Sequence, residues 1–327
     1  MRAIDVSGGT ILAGMITGKI LEIDGSDNIT TVMEGHSKGE AWGLAPISSD
    51  EFVTSGDDNQ VLFWNIGDKK CSTSTIVCDE DAKPKKGKAS TLSDLAASKC
   101  ARAVAYDSNS GNIAVGHNDG RVTIINSKDD LSVSVTLTDS DEWIEAIAYS
   151  PSGQYLAVGS HDDNVYVYKV ADNYNLHGTG KAHKSFIVSV DWAADETFLR
   201  TVCGAHELLF FTVSDDGVEQ DPSGATNTKG TEWATSSAKY GWLVTGIFPS
   251  GTDGTHINHV DFNEDKSLIA TGDDYGLVNV WRNPARKGAR PISLRGHSEH
   301  VVRVRFIGDH LISIGGYDKT IFQWKQK

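Results

Sequence analysis

Residues 35–65 decide the fold of this chain: GHSKGEAWGLAPISSDEFVTSGDDNQVLFWN. The segments 41–45, 51–55 and 61–64 are short and rich in apolar residues, which is typical of β-strands. Residues 56–59, Gly-Asp-Asp-Asn, favour a tight turn between the second and third segments because they tolerate left-handed backbone. A fourth segment, from Cys71 to Cys78, carries alternating β-branched residues. The stretch therefore predicts a small antiparallel sheet of four strands.

The same order of strands recurs along the chain. The position that closes the third strand occurs seven times, at Ile23, Trp64, Ile125, Tyr168, Phe211, Trp281 and Trp324. The intervals between these positions are 41, 61, 43, 43, 70 and 43 residues. A period of roughly 40–45 residues is typical of propeller blades with four strands each. The two long intervals indicate insertions at residues 79–98 and 214–250.

We therefore predict one all-β domain over residues 1–327, a seven-bladed β-propeller with degenerate repeats. The blades are expected at residues 1–34, 35–78, 99–139, 140–182, 183–235, 251–294 and 295–327. Three residues follow Trp324, too few for a fourth strand. We expect the chain to be a fragment of a longer protein whose upstream sequence supplies that strand, since an unpaired edge is a liability. The alternative is a last blade with three strands.

Composition and charge limit the possible functions. The formal charge of −14 argues against nucleic acid or an anionic membrane as a partner. No apolar stretch approaches the ~20 residues that span a bilayer, and residues 1–20 do not resemble a signal peptide. The cysteines form no CxxC pair, so we predict reduced thiols in an intracellular protein, with neither disulfides nor a zinc site: Cys71, Cys78, Cys100 and Cys203.

Motifs that would indicate an enzyme have simpler explanations. The pairs His256/His259 and His297/His300 have metal-ligand spacing, but both lie where strands begin, and residues three apart on a strand point to opposite faces. The Asp-Asp pairs recur at the same turn of successive blades, where turn chemistry explains them: 57–58, 162–163 and 273–274. Residues 35–39, Gly-His-Ser-Lys-Gly, match the letters of the Gly-x-Ser-x-Gly pattern, but they lead into the strand segment 41–45 and not into a helix, so they do not make a nucleophile elbow. No phosphate-binding glycine loop precedes a helix. We predict no catalytic residues, no metal and no cofactor.

Two repeats resemble WD repeats, in which a Gly-His pair precedes the innermost strand and a tryptophan closes the third. Gly35-His36 is followed by Trp64, and Gly296-His297 by Trp324. The resemblance implies a buried structural tetrad of histidine, strand hydroxyl, turn aspartate and tryptophan, here His36, Thr54, Asp58 and Trp64. The Trp-Asp dipeptide itself is absent, which marks the blades as atypical.

Longer stretches resemble one branch, the echinoderm microtubule-associated protein-like family. They are densest in residues 184–327 and include 199–211, 230–235, 251–255, 270–278, 310–316 and 321–324. The resemblance is to the second of that family's two tandem atypical propellers. It implies a non-enzymatic scaffold of the cytoplasm and cytoskeleton that associates with microtubules or tubulin.

The loops that lead into the innermost strands form one face of a propeller, which we call the channel face. Aligned blades place Glu40, Cys100, Trp143, Phe186, His256 and His300 at equivalent positions there, with Trp42 and Arg102 two residues further on. Exposed aromatic and charged side chains are typical of interface centres. The sequence therefore predicts a partner-binding ring of Trp42, Arg102, Trp143, Phe186, His256 and His300. The alternative is that Trp143 and Phe186 only pack between blades.

Residues 83–88, Lys-Pro-Lys-Lys-Gly-Lys, form a basic run in the first insertion. Such a run can contact the acidic tails of tubulin, but a solvated loop is the favoured interpretation. The charge of −14 opposes unaided binding to an acidic polymer, so tubulin has to be met through a defined patch. The second hypothesis is a peptide-binding or assembly module without tubulin contact.

Overall fold

The computed structural model describes residues 1, 3–15, 18–77, 100–248, 251 and 255–325. The first three sheets have four antiparallel strands each, in chain order. Their strands are β1 Ala3–Ser7, β2 Thr10–Gly14, β3 Ile20–Ile23 and β4 Ile29–Met33; β5 Ala41–Pro46, β6 Glu51–Gly56, β7 Gln60–Asn65 and β8 Lys70–Ile76; β9 Ala101–Tyr106, β10 Ile113–His117, β11 Val122–Ile125 and β12 Val133–Leu137.

The fourth to sixth sheets also have four strands, and the described residues of the seventh form three. Their strands are β13 Ile144–Tyr149, β14 Tyr155–Ser160, β15 Val165–Lys169 and β16 Asn175–Gly180; β17 Ile187–Trp192, β18 Phe198–Cys203, β19 Leu208–Ser214 and β20 Gly217–Gln220; β21 Ile257–Phe262, β22 Leu268–Asp273, β23 Leu277–Arg282 and β24 Ile292–Arg295; β25 Val301–Ile307, β26 His310–Gly315 and β27 Ile321–Lys325.

Helical structure in the described residues is confined to short elements: α1 Gly224–Asn227 and the 3₁₀ turns Val170–Asp172 and Trp242–Val244. No helix in this part of the chain is long and apolar enough to cross a membrane. The seven antiparallel sheets confirm the predicted all-β propeller class. Residues 217–220, which the sequence assigns to the second insertion, pair with β19 as a fourth strand. The first insertion, with its basic run, lies outside the described residues.

The hydrophobic core lies between neighbouring sheets. Strands β10 and β14 are buried at every position, because they are covered by sheets on both faces. Between the second and third sheets, for example, Val53 and Phe63 lie in one cluster with Val104 and Ile113. From the second sheet to the seventh, the sheets pack face to face around a central channel, and the seventh packs on the second, with Ile312 and Ile314 in one cluster with Leu44 and Phe52.

Within the described residues, seven segments surround this channel, and one of them is not a regular strand. Residues 232–236 line it together with parts of β5, β9, β13, β21 and β25, and β17 lines it further along. A single bridge, Ala193 to Trp233, joins this segment to the end of β17. Buried Asp191 on β17 accepts hydrogen bonds from the backbone N–H groups of Ser237 and Ala238.

The contact between β21 and β25 is made in the same way. Asp261 on β21 accepts a hydrogen bond from the backbone N–H of Phe306 on β25. Asp191 and Asp261 are the fifth residues of their strands. Residues 231–238 therefore take the place beside β17 that an innermost strand takes beside β21.

The first sheet differs from the others in its burial. Strand β1 is exposed at every position, whereas β5 and β17 are mostly buried. Apolar side chains of the first sheet face solvent, including Ile4 and Val6 on β1 and Ile29 and Met33 on β4. No residue of this sheet is among the described residues that line the channel, where the seventh sheet packs directly on the second. The blade limits stay a prediction.

Candidate functional site

The predicted tetrad residues form one hydrogen-bonded group inside the second sheet. His36 Nδ1 lies 3.0 Å from Asp58 Oδ1, and His36 Nε2 lies 2.9 Å from Thr54 Oγ1. Trp64 Nε1 donates to the same Thr54 oxygen at 2.9 Å. Burial alone raises the pKa of Asp58, but hydrogen bonds from His36 and the Ser37 backbone outweigh it and lower that pKa. These contacts satisfy buried polar groups and hold the turn 56–59 in place.

Related groups recur in other sheets. In the seventh sheet His297 lies against Ser313 and Asp318, and Trp324 Nε1 donates to Ser313 Oγ. In the sixth sheet Trp281 Nε1 donates to Thr271 Oγ1. Such groups rigidify each blade and so fix the loops of the channel face.

On the channel face, Arg102 lies between two tryptophans. Its guanidinium carbon is 4.0 Å from the centroid of the Trp42 ring and 4.6 Å from that of Trp143. Asp57 Oδ1 lies 3.4 Å from Arg102 Nε and accepts a hydrogen bond from Trp42 Nε1 at 3.0 Å. The carboxylate and the two π-faces hold the cation in one orientation.

Trp143 and Phe186 are joined by a residue that the sequence did not single out. The His161 ring lies between them, with centroid distances of 5.2 Å to Trp143 and 4.6 Å to Phe186. His161 Nε2 also lies 2.6 Å from Glu145 Oε2. Trp143 remains 40% exposed and Phe186 38% exposed. Both side chains therefore pack against neighbours and still expose part of their surface to a partner.

We call the contiguous set Trp42, Arg102, Trp143, His161 and Phe186 the aromatic run. It crosses four neighbouring sheets, the second to the fifth: Trp42 and Arg102 are the second residues of β5 and β9, and the other three residues lie in loops next to β13, β14 and β17. Four of the six predicted ring residues belong to it.

The remaining two ring residues lie in the sixth and seventh sheets. His300 Nε2 is 3.1 Å from Glu40 Oε2, and exposed Tyr317 lies edge-on to the His300 ring. Hydrogen bonding to Glu40, reinforced by Glu299, raises the pKa of His300. His256 stacks on exposed Tyr275 at 5.5 Å.

Other residues at equivalent loop positions are not available to a partner. Glu40 is 8% exposed and Cys100 is 4% exposed. The exposed aromatics Tyr275 and Tyr317, like His161, come from the turns between the second and third strands of their blades. The sequence explains the residues of those turns by their backbone conformation alone and gives no signal that their side chains belong to the channel face.

Comparison with known proteins decides the family. The family model described as the echinoderm microtubule-associated protein second beta-propeller matches residues 41–326. This chain belongs to that family. The matched range begins at β5, so it leaves out the exposed first sheet and includes the segment 231–238 beside the channel. The resemblance drawn from the sequence is confirmed.

Relatives in this family match nearly the whole chain. The ciliary WD repeat-containing protein ctxp80 of Euplotoides octocarinatus is 60% identical over 100% of this chain and 46% of its own length. Human echinoderm microtubule-associated protein-like 1 is 33% identical over 97% of this chain and 37% of its own length. The 77 kDa echinoderm microtubule-associated protein of Strongylocentrotus purpuratus is 33% identical over 97% of this chain and 44% of its own length. This family member thus spans less than half the length of these relatives.

A solved structure supports the fold of this family member. The β-propeller domain of Cps50 (Swd1) from Myceliophteria thermophila aligns over 100% of this chain and 97% of that one, with a TM-score of 0.53 and 13% identity. Together with the WD-repeat relatives, this fold makes the chain a protein-interaction module of the β-propeller type.

Proposed function

We propose that this propeller is a non-enzymatic scaffold of the cytoplasmic cytoskeleton that binds tubulin or microtubules through its channel face. The observation that carries the proposal is the aromatic run, in which two tryptophans hold Arg102 between them and His161 links Trp143 to Phe186, with Trp143 and Phe186 partly exposed. Tryptophan and arginine are the residue types most enriched among interface hot spots. Several relatives are named microtubule-associated proteins, which supports this class of partner.

The chemistry of the channel face limits how contact is made. Two carboxylates lie beside the aromatic run, Asp57 next to Arg102 and Glu145 next to His161, and a third, Glu40, lies next to His300 on the same face. With a formal charge of −14 for the whole chain, the acidic tails of tubulin are repelled at long range. We therefore propose that an apolar or basic segment of the folded tubulin surface docks on the aromatic run.

The same carboxylates favour a second candidate, an assembly module that binds a Lys- or Arg-containing peptide and never touches tubulin. A cation bound against the exposed part of Trp143 would gain contact with an aromatic ring and a nearby carboxylate, Glu145. The ring residues and the non-enzymatic role are the same in both proposals. They differ only in the partner.

Co-sedimentation with stabilised microtubules, and co-elution with soluble tubulin, separates the two candidates. The tubulin proposal predicts saturable binding at low salt that persists in part at 0.15 M ionic strength, since apolar contact is not screened. Absence of both co-sedimentation and co-elution at low salt would remove tubulin as the partner and leave the peptide-binding module.

A further inference from the structure

The fifth sheet carries an altered version of the tetrad. The hairpins β6–β7 and β18–β19 share one register, with Thr54 opposite Leu62 and Thr201 opposite Leu209. Their turns share one conformation as well, since Asn59 and His206 occupy the same place with φ of 60° and 66°. Corresponding positions in the two hairpins can therefore be compared directly.

All five residues from 203 to 207 differ from those of the second sheet's turn, and three of these differences surround the tetrad histidine. Cys203 stands where the second sheet has Gly56, and Ala205 stands where it has Asp58. Glu207 stands where it has Gln60. The aspartate that partners the tetrad histidine is thus absent, while a thiol and a carboxylate have been introduced around the same point.

The histidine itself is retained and fully buried. His183 Nε2 lies 2.6 Å from Thr201 Oγ1, as His36 Nε2 lies against Thr54. The side chain of His183 has 0% exposure, and its Nδ1 atom has no hydrogen-bond partner. A buried ring nitrogen without a partner is costly, which indicates that a group is missing at this point.

The introduced groups point at this nitrogen. A β-carbon at Gly56 would lie 2.9 Å from Nδ1 of His36, so the side chain at position 203 begins beside the corresponding atom of His183. Glu207 Oε2 is 3.9 Å from His183 Nδ1 and 3.7 Å from Cys203 Sγ. The three ligand atoms all lie within 4.8 Å of one another.

We propose that His183, Cys203 and Glu207 form a binding site for a divalent transition-metal cation of the Zn²⁺ class. Tetrahedral zinc with ordinary Zn–N, Zn–O and Zn–S bonds places its ligand atoms about 3.3–3.7 Å apart, so small side-chain shifts close this site. Imidazole and thiolate select a borderline-soft cation over Mg²⁺ or Ca²⁺.

Charge and access fit such a cation. A thiolate and a carboxylate neutralise its two charges, the thiol proton being released to solvent on binding. Cys203 and His183 are buried, but the Glu207 side chain is 36% exposed and provides a path from solvent. A water molecule takes the fourth position on that side.

The site differs from the expectation drawn from the sequence, which predicted no metal because the cysteines lack close spacing. Its ligands come from the loop before β17 and from the two ends of one turn, and only folding brings them together. The Gly204 backbone N–H donates to the Phe186 carbonyl oxygen, so a bound metal would brace the loop that carries Phe186. The proposal does not depend on the identity of the protein partner.

The test is titration of chelator-treated full-length chain with Co²⁺, followed by displacement with Zn²⁺. We expect one Co²⁺ per chain, a thiolate-to-cobalt charge-transfer band, and loss of that band in Cys203→Ser. The matched control, Cys71→Ser, removes a half-buried thiol of β8 and should keep the band. Circular dichroism checks that each variant is folded.

A second variant separates metal binding from packing. Ala205→Asp restores the aspartate of the second sheet and gives His183 Nδ1 a hydrogen-bond partner, so we expect Co²⁺ affinity to fall by about tenfold or more without loss of fold. Zn²⁺ should raise the melting temperature of the wild type and leave that of Cys203→Ser unchanged. Absence of the thiolate band at saturating Co²⁺, or its survival in Cys203→Ser, would overturn the proposal.

Discussion

Replacing Asp191 tests whether residues 231–238 are an integral part of the ring. The carboxylate is 0% exposed and accepts hydrogen bonds from the Ser237 N–H at 2.7 Å, the Ser237 hydroxyl at 2.9 Å and the Ala238 N–H at 3.0 Å. Arg200 Nε donates to it at 3.0 Å. Asp191→Ala leaves these donors facing a cavity, and Asp191→Asn keeps an acceptor but removes the charge.

The expected magnitude follows from burial. Removing one partner of a buried ion pair costs about 3–5 kcal/mol, which for Asp191→Ala corresponds to a fall in melting temperature of roughly 4–7 °C in a chain of this length. For Asp191→Asn we expect about 1–3 kcal/mol, since some backbone bonds survive. The matched control is Asp195→Asn, an exposed residue of the next turn bonded to Thr197, with an expected change within about 0.5 kcal/mol.

Urea unfolding followed by tryptophan fluorescence measures these differences, and pH adds a second test. Burial alone raises the pKa of Asp191, but Arg200 and the hydrogen bonds from Ser237 outweigh it, so the pKa is lowered. The stabilisation is therefore present above the unfolded-state pKa of about 3.9 and is lost as pH falls through the lower folded-state value. If Asp191→Ala and Asp195→Asn have the same free energy of unfolding at pH 7, the assignment of residues 231–238 to the ring is refuted.

Three further predictions concern the tetrad and the channel face. Trp64→Phe keeps an aromatic ring but removes the hydrogen bond to Thr54, so urea unfolding should show a free energy of unfolding that is lower by about 1 kcal/mol. An unchanged free energy would mean that water replaces the lost hydrogen bond. Because the pKa of His300 is raised, its contribution to the free energy of unfolding is present below the unfolded-state pKa of ~6.5 and is lost as pH rises through the folded-state pKa. The difference in stability between wild type and His300→Gln should therefore shrink above the folded-state pKa. A difference that does not change with pH would contradict the pairing of His300 with Glu40. Arg102→Met keeps the bulk of the side chain but loses the cation, so thermal unfolding should show a loss of about 1–2 kcal/mol, whereas an unchanged melting temperature would remove the π-contacts as a stabilising feature.

The sheets could be predicted because their residues follow a local pattern. Segments such as 61–64 and 165–168 are short apolar runs bounded by turn residues, which mark strands buried on both faces. Residues 231–238 lack such a pattern and have one isolated bridge. Their position depends on Asp191, more than forty residues earlier in sequence, which no local signal reveals.

The candidate site was predictable only in part for the same reason. Trp143 and Phe186 follow from aligning the blades, but His161 joins them from the turn after β14, where the sequence indicates nothing beyond a loop. The grouping of His183 with Cys203 and Glu207 likewise depends on how a loop and a hairpin meet. The local periodicity of the sequence is enough to predict strands. Contacts between loops that are distant in sequence can be seen only in the folded structure.

The central claim, that the aromatic run is the partner-binding surface, is tested most directly by affinity for tubulin. The variants are Trp143→Ala and Phe186→Ala, and the matched control is Trp242→Ala, which also carries an arginine, Arg286, over its ring but lies outside the aromatic run. With circular dichroism confirming the fold, the account predicts that Trp143→Ala weakens binding by about 30-fold, as expected of a hot spot worth about 2 kcal/mol, and that Trp242→Ala leaves it unchanged. Equal affinities of wild type, Trp143→Ala and Phe186→Ala would contradict it.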